Sequence, residues 1–167
     1  MKKVIGLFVA ILACSTVQSE NYYSASVTKF DADVGETSID LTGITGTYGT
    51  VLSDNMSAEF RFGFGVDDDS IMYDYGDYIE TELDHYFGGY LKFSSTSGQI
   101  MPYAILGLTK IKASVYDSFY GYSESDSEDD FSYGVGVDFA NGFNIEYMQH
   151  LDKGSLELNG LSLGMKF

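Results

Sequence analysis

Leu161-Ser162-Leu163-Gly164-Met165-Lys166-Phe167 alternates apolar with small or polar side chains and finishes on an aromatic residue. Successive side chains of a strand point to opposite faces of a sheet. Leu161, Leu163, Met165 and Phe167 therefore form one apolar stripe, while Ser162, Gly164 and Lys166 face the other way. Such a final strand suits two settings: a sheet wall that meets lipid on one side, or the edge of a soluble sandwich.

The other end of the chain bears on the choice. Lys2 and Lys3 make a positive n-region, and Val4 to Cys14 make an apolar h-region too short to span a bilayer as a helix. Val17 and Ser19 stand at the −3 and −1 positions of a cleavage site, so residues 1–19 are expected to be a secretory signal and 20–167 the mature domain. No later stretch of the sequence is apolar in that continuous way, so a membrane-bound mature chain must cross as a barrel. Ile11-Leu12-Ala13-Cys14 is a rough lipoprotein box, with Leu12 bulkier than that site usually takes.

Cys14 is the only cysteine, so cleavage after Ser19 excludes disulfides and thiolate chemistry. Nine Lys and Arg less Lys2 and Lys3 leave 7 bases against 25 acids, a formal charge of −18, and phosphate-based binding of nucleic acid is excluded. Nineteen glycines, 14 tyrosines, 12 phenylalanines and one proline suit sheet and not helix. The length after cleavage, roughly 148 residues, implies one domain.

Period-two alternation divides this domain into eight expected strands. Tyr22–Thr28 sets Tyr23, Ala25 and Val27 against Ser24 and Ser26, and a second strand covers about 38–48. The third, Met56–Val66, sets Ala58, Phe60, Phe62 and Phe64 against Glu59, Arg61, Gly63 and Gly65. On an inward face those glycines leave room for long neighbours in a narrow lumen. In the fourth, Leu83, His85, Phe87, Leu91 and Phe93 share one parity and Glu82, Asp84, Tyr86, Tyr90 and Lys92 the other, which places the charges inside. The fifth, Met101–Val115, is less tidy, because Leu106 and Leu108 share a face with Lys110 and Lys112. The sixth alternates Phe131, Tyr133, Val135, Val137 and Phe139 with Ser132, Gly134, Gly136 and Asp138. Asn141-Gly142 predicts a type I′ hairpin into the seventh, Phe143–Leu151, whose Asn144, Glu146, Met148 and His150 turn inward. The eighth follows Asp152-Lys153-Gly154. Leu41-Thr42-Gly43-Ile44 and Leu158-Asn159-Gly160-Leu161 echo one another, by chance or by design. In both, apolar parity shifts across the glycine, which predicts a β-bulge where each strand leaves the membrane.

The acidic segments Asp31–Glu36, Asp67–Asp77 and Tyr116–Asp129 read as long loops, and Ser53-Asp54-Asn55, Ser94–Gly98 and Asn141-Gly142 as short turns. With both termini in the periplasm, every first, third, fifth and seventh link faces outward, and those include the three long ones. The expected fold is all-β, an eight-stranded antiparallel up-and-down transmembrane β-barrel.

The chain resembles the small outer-membrane β-barrel family of Gram-negative bacteria, the type that includes OmpX and the transmembrane part of OmpA. The likeness rests on the signal sequence, Pro102-Tyr103-Ala104, Glu146-Tyr147, and Gly160-Leu161-Ser162-Leu163-Gly164 running to Phe167. It implies a cell-surface location among outer-membrane lipids and lipopolysaccharide and insertion by an assembly machinery that reads the final strand. It also implies a lumen packed with polar side chains, no wide pore, and a structural or surface-interaction role. No Trp is present for an interfacial girdle, and no peptidoglycan-binding domain is expected after the barrel.

Candidate chemistry is sparse. His85 has outward parity and suits headgroup level better than general-base work. His150 is inward, near Asp152 and Ser155, at about the place where some eight-stranded lipid A deacylases carry His-x-Ser-Asn. Here the run is His150-Leu151-Asp152-Lys153, without the Ser. No catalytic, cofactor-binding or metal residue is assigned, no cofactor is expected, and the chain reads as a monomer that is not an enzyme. Glu59, Arg61, Asp84, Lys92, Lys110 and Glu146 are expected to pair inside the lumen, since an unpaired buried charge is costly. That filling argues against a diffusion porin and leaves a narrow ion conductance open. Asp67-Asp68-Asp69 and Glu128-Asp129-Asp130 are solvated charge runs or loose divalent-cation collectors, lacking the spaced ligands of an EF-hand. A periplasmic lipocalin-like barrel and a lipid A-modifying barrel enzyme are the alternatives. The third strand discriminates the first of these, since a lipocalin puts its phenylalanines inside.

Overall fold

The computed structural model describes residues 20–34, 37–72, 78–95, 98–153 and 156–167; the expected signal segment, Cys14 and Ser155 lie outside them. Among the described residues, glycine-, tyrosine- and serine-rich alternation becomes nine strands: β1 (Asn21–Val34), β2 (Thr37–Ser53), β3 (Met56–Gly65), β4 (Asp68–Met72), β5 (Tyr78–Ser94), β6 (Ile100–Asp117), β7 (Tyr122–Phe139), β8 (Phe143–Lys153) and β9 (Leu156–Lys166). All neighbours are antiparallel and follow chain order. β3 and β4 both pair with β5, on either side of a break at Val66-Asp67, and so form one stave of an eight-stave ring. β1 and β9 close it in register from Ser24↔Lys166 to Val34↔Leu156. Below that seam, at the end carrying Glu20 and Phe167, Phe167 N–H donates to the Tyr23 carbonyl at 2.8 Å.

Around the lower half of the ring, apolar side chains point out. Phe60, Phe62 and Phe64 are 45%, 49% and 46% exposed, while their neighbours Glu59 and Gly63 are buried inside. The same outward row continues through Val27, Leu108, Val135 and Leu163. A band of this size has no soluble use, and lipid is its solvent. The lipocalin alternative, which needs those rings inside, is overturned.

The upper half reverses the arrangement. Phe30, Ala32, Ile39, Leu41, Leu83, Tyr86, Ile111, Leu151 and Leu158 pack within the ring as one buried cluster. Asp31, Asp33, Asp40 and Glu157 lie exposed around it. The parity shift across Gly43 and Gly160 is this inversion and not a bulge. β1 pairs with β2 without interruption from Asn21↔Thr50 to Val34↔Thr37, and with β9 equally smoothly. Leu41 and Leu158 face in, Ile44 and Leu161 face out, because water replaces lipid between them. In the upper half the bulges lie elsewhere, in β5 between Leu83 and His85 and in β8 between Gln149 and Leu151. Each inserts one residue and so turns an apolar side chain, Leu83 or Leu151, into the cluster.

The strands are also longer than expected. β6 and β7 have 18 residues each, and Tyr116–Asp129 is not a loop. Pairing continues from Lys110↔Asp129 to Asp117↔Tyr122, and only Ser118–Gly121 turns, with Gly121 at φ 60°. Alternating acid and serine is period two, yet neither face is apolar, so the segment carried no hydrophobic sign of a strand. Asp31–Val34 and Asp68–Met72 are strand as well, the first setting its acids against Ala32 of the buried cluster. The Asn141-Gly142 hairpin is a three-residue loop, Ala140–Gly142. Gly142 N–H donates to the Phe139 carbonyl at 2.9 Å, and Gly142 itself is left-handed at φ 89°.

Candidate functional site

Three inward staves converge on the middle of the lumen. β3 brings Glu59 and Arg61, β8 brings Glu146, and β5 brings Lys92. Arg61 forks between two carboxylates. Its Nη1 and Nη2 donate to Glu146 at 2.5 and 2.9 Å, and its Nε and Nη2 donate to Glu59 Oε2 at 2.9 and 2.6 Å. Lys92 Nζ binds Asp138 Oδ2 at 2.8 Å and lies 3.7 Å from Glu59. Tyr22 and Tyr103 hydroxyls donate to Glu59 and Glu146 at 2.5 and 2.9 Å. Three carboxylates thus face two cations, with tyrosine hydroxyls on Glu59 and Glu146, which helps to make buried charge tolerable, while Asp138 Oδ1 has no partner among the described residues.

Glycines make this packing possible. A Cβ at Gly49 would meet the Tyr22 ring, one at Gly63 the Tyr86 ring and one at Gly136 the Tyr103 ring. Within this packing lies a cavity of about 20 Å³, lined in part by Tyr22, Glu59, Arg61, Lys92, Asp138 and Glu146. Its scale is that of one or two waters, and the apolar cluster caps it from above.

Two of the six expected lumenal charges are elsewhere. Lys110 and Lys112 keep the outward parity of Leu106 and Leu108, above the apolar band. Asp84, set outward by the β5 bulge, binds Lys112 at 2.9 Å and accepts from Ser114 at 3.0 Å. The Lys112 hydrogen bond holds its carboxyl below the ordinary Asp range. Asp138, Tyr22 and Tyr103 join the network without having been assigned to it, although each shares parity with an inward glycine or serine of its own strand.

His150 lies beneath the apolar cluster, its ring 5.3 Å from Phe30 and 6.1 Å from Tyr86, and its Nδ1 has no partner among the described residues. Asp152 is exposed, and its N–H is bound to Asp130 Oδ2 at 3.0 Å. The two are not brought together as a base and its orienting acid.

The acid runs have specific work. Asp67 and Asp69 accept from the Thr42 and Asp40 N–H groups of β2 at 2.5 and 3.0 Å, joining β4 to a stave it does not pair with. Glu128 binds Lys153 at 2.5 Å, which with Asp130 joins β7 to β8, and this bond raises the Lys153 ammonium above its usual range. Among the described residues no group of three His, Cys, Asp or Glu is placed to hold a metal. Between these two side-chain seams, β4, β5, β6 and β7 rise as a four-stranded sheet. From Lys110 to Asp117 it extends about 25 Å beyond the lipid band. Its crest carries Phe119 and Tyr120, 66% and 76% exposed and stacked edge-on at 4.8 Å, with Tyr122 beside them.

Residues 5–166 match the family model described as outer membrane protein beta-barrel domain. The chain belongs to that family. Solved structures agree on the fold of this outer-membrane barrel. Ail, the attachment invasion locus protein of Yersinia pestis, in complex with the heparin analogue sucrose octasulfate, is 17% identical with a TM-score of 0.63, over 90% of this chain and 100% of its own. Neisserial surface protein A is 14% identical with a TM-score of 0.68, over 90% and 98%. The N-terminal barrel of Pseudomonas aeruginosa OprF is 17% identical with a TM-score of 0.51, over 90% and 100%. No curated protein matches the sequence.

Proposed function

We propose that this outer-membrane barrel is a monomeric, non-enzymatic surface-interaction protein that opens no wide pore, and that the sheet β4–β7 is its working part. One observation carries the reading: a hairpin extends about 25 Å past the lipid band and ends in exposed aromatic side chains. The filled lumen and its apolar cap support the absence of a wide pore. In this reading the termini lie in the periplasm and the sheet outside, amid lipopolysaccharide. The assembly machinery recognises β9 through its outward Leu161, Leu163, Met165 and Phe167, and the acidic surface engages no nucleic acid.

A tag inserted at Gly121, where a side chain would meet nothing within 4 Å, should be detected on intact cells. Detection only after permeabilisation, in folded protein, overturns the orientation. In a heterologous Gram-negative host, any attachment to cultured cells or matrix-coated surfaces that the protein confers should vanish when residues 113–126 are replaced by a tight turn. Equal attachment by the shortened protein rejects the role given to the sheet. Deleting Phe167 should slow and reduce assembly into the outer membrane, and normal yield and rate would refute the recognition of β9.

A further inference from the structure

The turn between β6 and β7, Ser118–Gly121, is held from several directions. Asp117 Oδ1 accepts from the Phe119 and Tyr120 N–H groups at 2.9 and 3.3 Å. Ser118 ties the turn to the start of β5: its N–H donates to the Tyr78 carbonyl at 3.0 Å, and its hydroxyl accepts from the Tyr78 N–H at 2.7 Å. The Tyr78 and Tyr116 rings lie 6.2 Å apart beneath it. Phe119, Tyr120 and Tyr122 are thus presented on a fixed support, and little ordering remains to be done when a partner arrives. Phe119 and Tyr120 touch each other and otherwise stand in water. The capped turn keeps them from folding back onto the lipid band about 25 Å below.

Charge of one sign surrounds these rings. From Ala113 to Asp129 and from Asp68 to Glu82 the sequence has no Lys, Arg or His. Asp117 stands opposite Tyr122 across the hairpin, and Glu80, Glu124 and Asp126 follow lower on the sheet. A polyanion or an anionic lipid surface is repelled, and a second copy of this chain brings the same acids. The N–H groups of Ser118, Phe119 and Tyr120 are already taken, so the tip offers rings and acid with little main-chain hydrogen bonding. That combination suits a fluid surface better than a polypeptide.

We infer that the crest inserts Phe119, Tyr120 and Tyr122 into the headgroup layer of an apposed bilayer whose facing leaflet is rich in choline lipids. This rests on the surface-interaction reading of the sheet and names what its tip meets. Choline lipids present a trimethylammonium outermost, a cation that aromatic faces and a nearby carboxylate both attract. Rings with an apolar body, two of them with a polar tip, settle at headgroup depth. A primary ammonium is more strongly hydrated, so an ethanolamine surface gains less. One crest binds weakly, and many barrels on one cell hold together by number.

The chain has no Trp, so Tyr120→Trp supplies its sole indole. With that variant in phosphatidylglycerol nanodiscs, phosphatidylcholine vesicles should shift the emission to the blue, and phosphatidylcholine brominated on its acyl chains should quench it. Wild-type nanodiscs, corrected for empty ones, should bind immobilised phosphatidylcholine vesicles about tenfold more tightly than phosphatidylglycerol vesicles, and about threefold more tightly than ethanolamine-rich ones. Phe119→Ser with Tyr120→Ser should lose about tenfold while the barrel keeps its heat-resistant gel mobility. Asp117→Asn keeps an acceptor for the turn and should narrow the preference for choline. Equal binding to all three vesicles overturns the proposal, as do no binding, full binding by the double Ser variant, and binding to phosphocholine-bearing albumin as tight as to vesicles. Attachment to cells that survives Phe119→Ser with Tyr120→Ser but is lost when residues 113–126 are replaced rejects insertion while leaving the role of the sheet intact.

Discussion

The lower and upper halves of this barrel are built from the same strands with opposite insides. Along β2, Leu41 faces in above and Ile44 faces out below, three residues apart and without a break in pairing. In lipid the wall is greasy outside and charged within; above lipid it is charged outside and greasy within. A strand imposes only the alternation, and which parity is apolar is set by the solvent beyond the wall.

The largest effect that would sharpen this contrast is expected in the lower half. Arg61→Met leaves Glu146 buried without a cation and Glu59 with only Lys92 at 3.7 Å, and should cost about 3–5 kcal/mol in urea unfolding from detergent or vesicles. Adding Glu59→Gln and Glu146→Gln should recover much of the loss, and an unchanged midpoint for Arg61→Met alone would mean the fork is not a buried pair. In the upper half the equivalent insult is a cavity. Leu41→Ala should cost about 2–4 kcal/mol with no new charge effect, and a negligible shift would show that the cap is not a packed core.

At the crest neither rule applies. Phe119→Ser with Tyr120→Ser should change stability by less than about 0.5 kcal/mol, and a larger loss would make the aromatic pair structural and not presented. The smallest effect is a titration. Asp84 has a depressed carboxyl pKa, so the stability it lends is present above the ordinary Asp range and disappears as pH falls through its lower folded value. Amide exchange near Ser114 should therefore rise in acid, and Asp84→Asn should remove that rise.

Much of the lower half was legible in the sequence, because lipid on one side and a packed lumen on the other make parity unambiguous. Glu59, Arg61, Lys92 and Glu146 were placed by alternation alone. Asp84 and Lys110 were not. A bulge shifts the first, and the second lies past the level at which outward means apolar. The upper sheet was least legible: Ser123 to Asp130 alternates with no hydrophobic member, so nothing marked it as strand until its pairing with β6 was seen. The cap was hidden as an apparent irregularity at Gly43 and Gly160, since a change of solvent and a bulge leave the same mark on apolar parity.

The seam between β1 and β9 carries a kinetic consequence. Thr28 and Ser162 share a hydrogen bond at 2.8 Å across a separation of 134 residues, and no nearer pairing closes the ring. Until those ends meet, the ring has two raw edges and its outward phenylalanines have nowhere to go but water. The search for closure over so long a tether is slow. Aggregation through those edges therefore competes with folding until the last strand finds the first, and anything that slows the meeting of β1 and β9 lengthens the exposure.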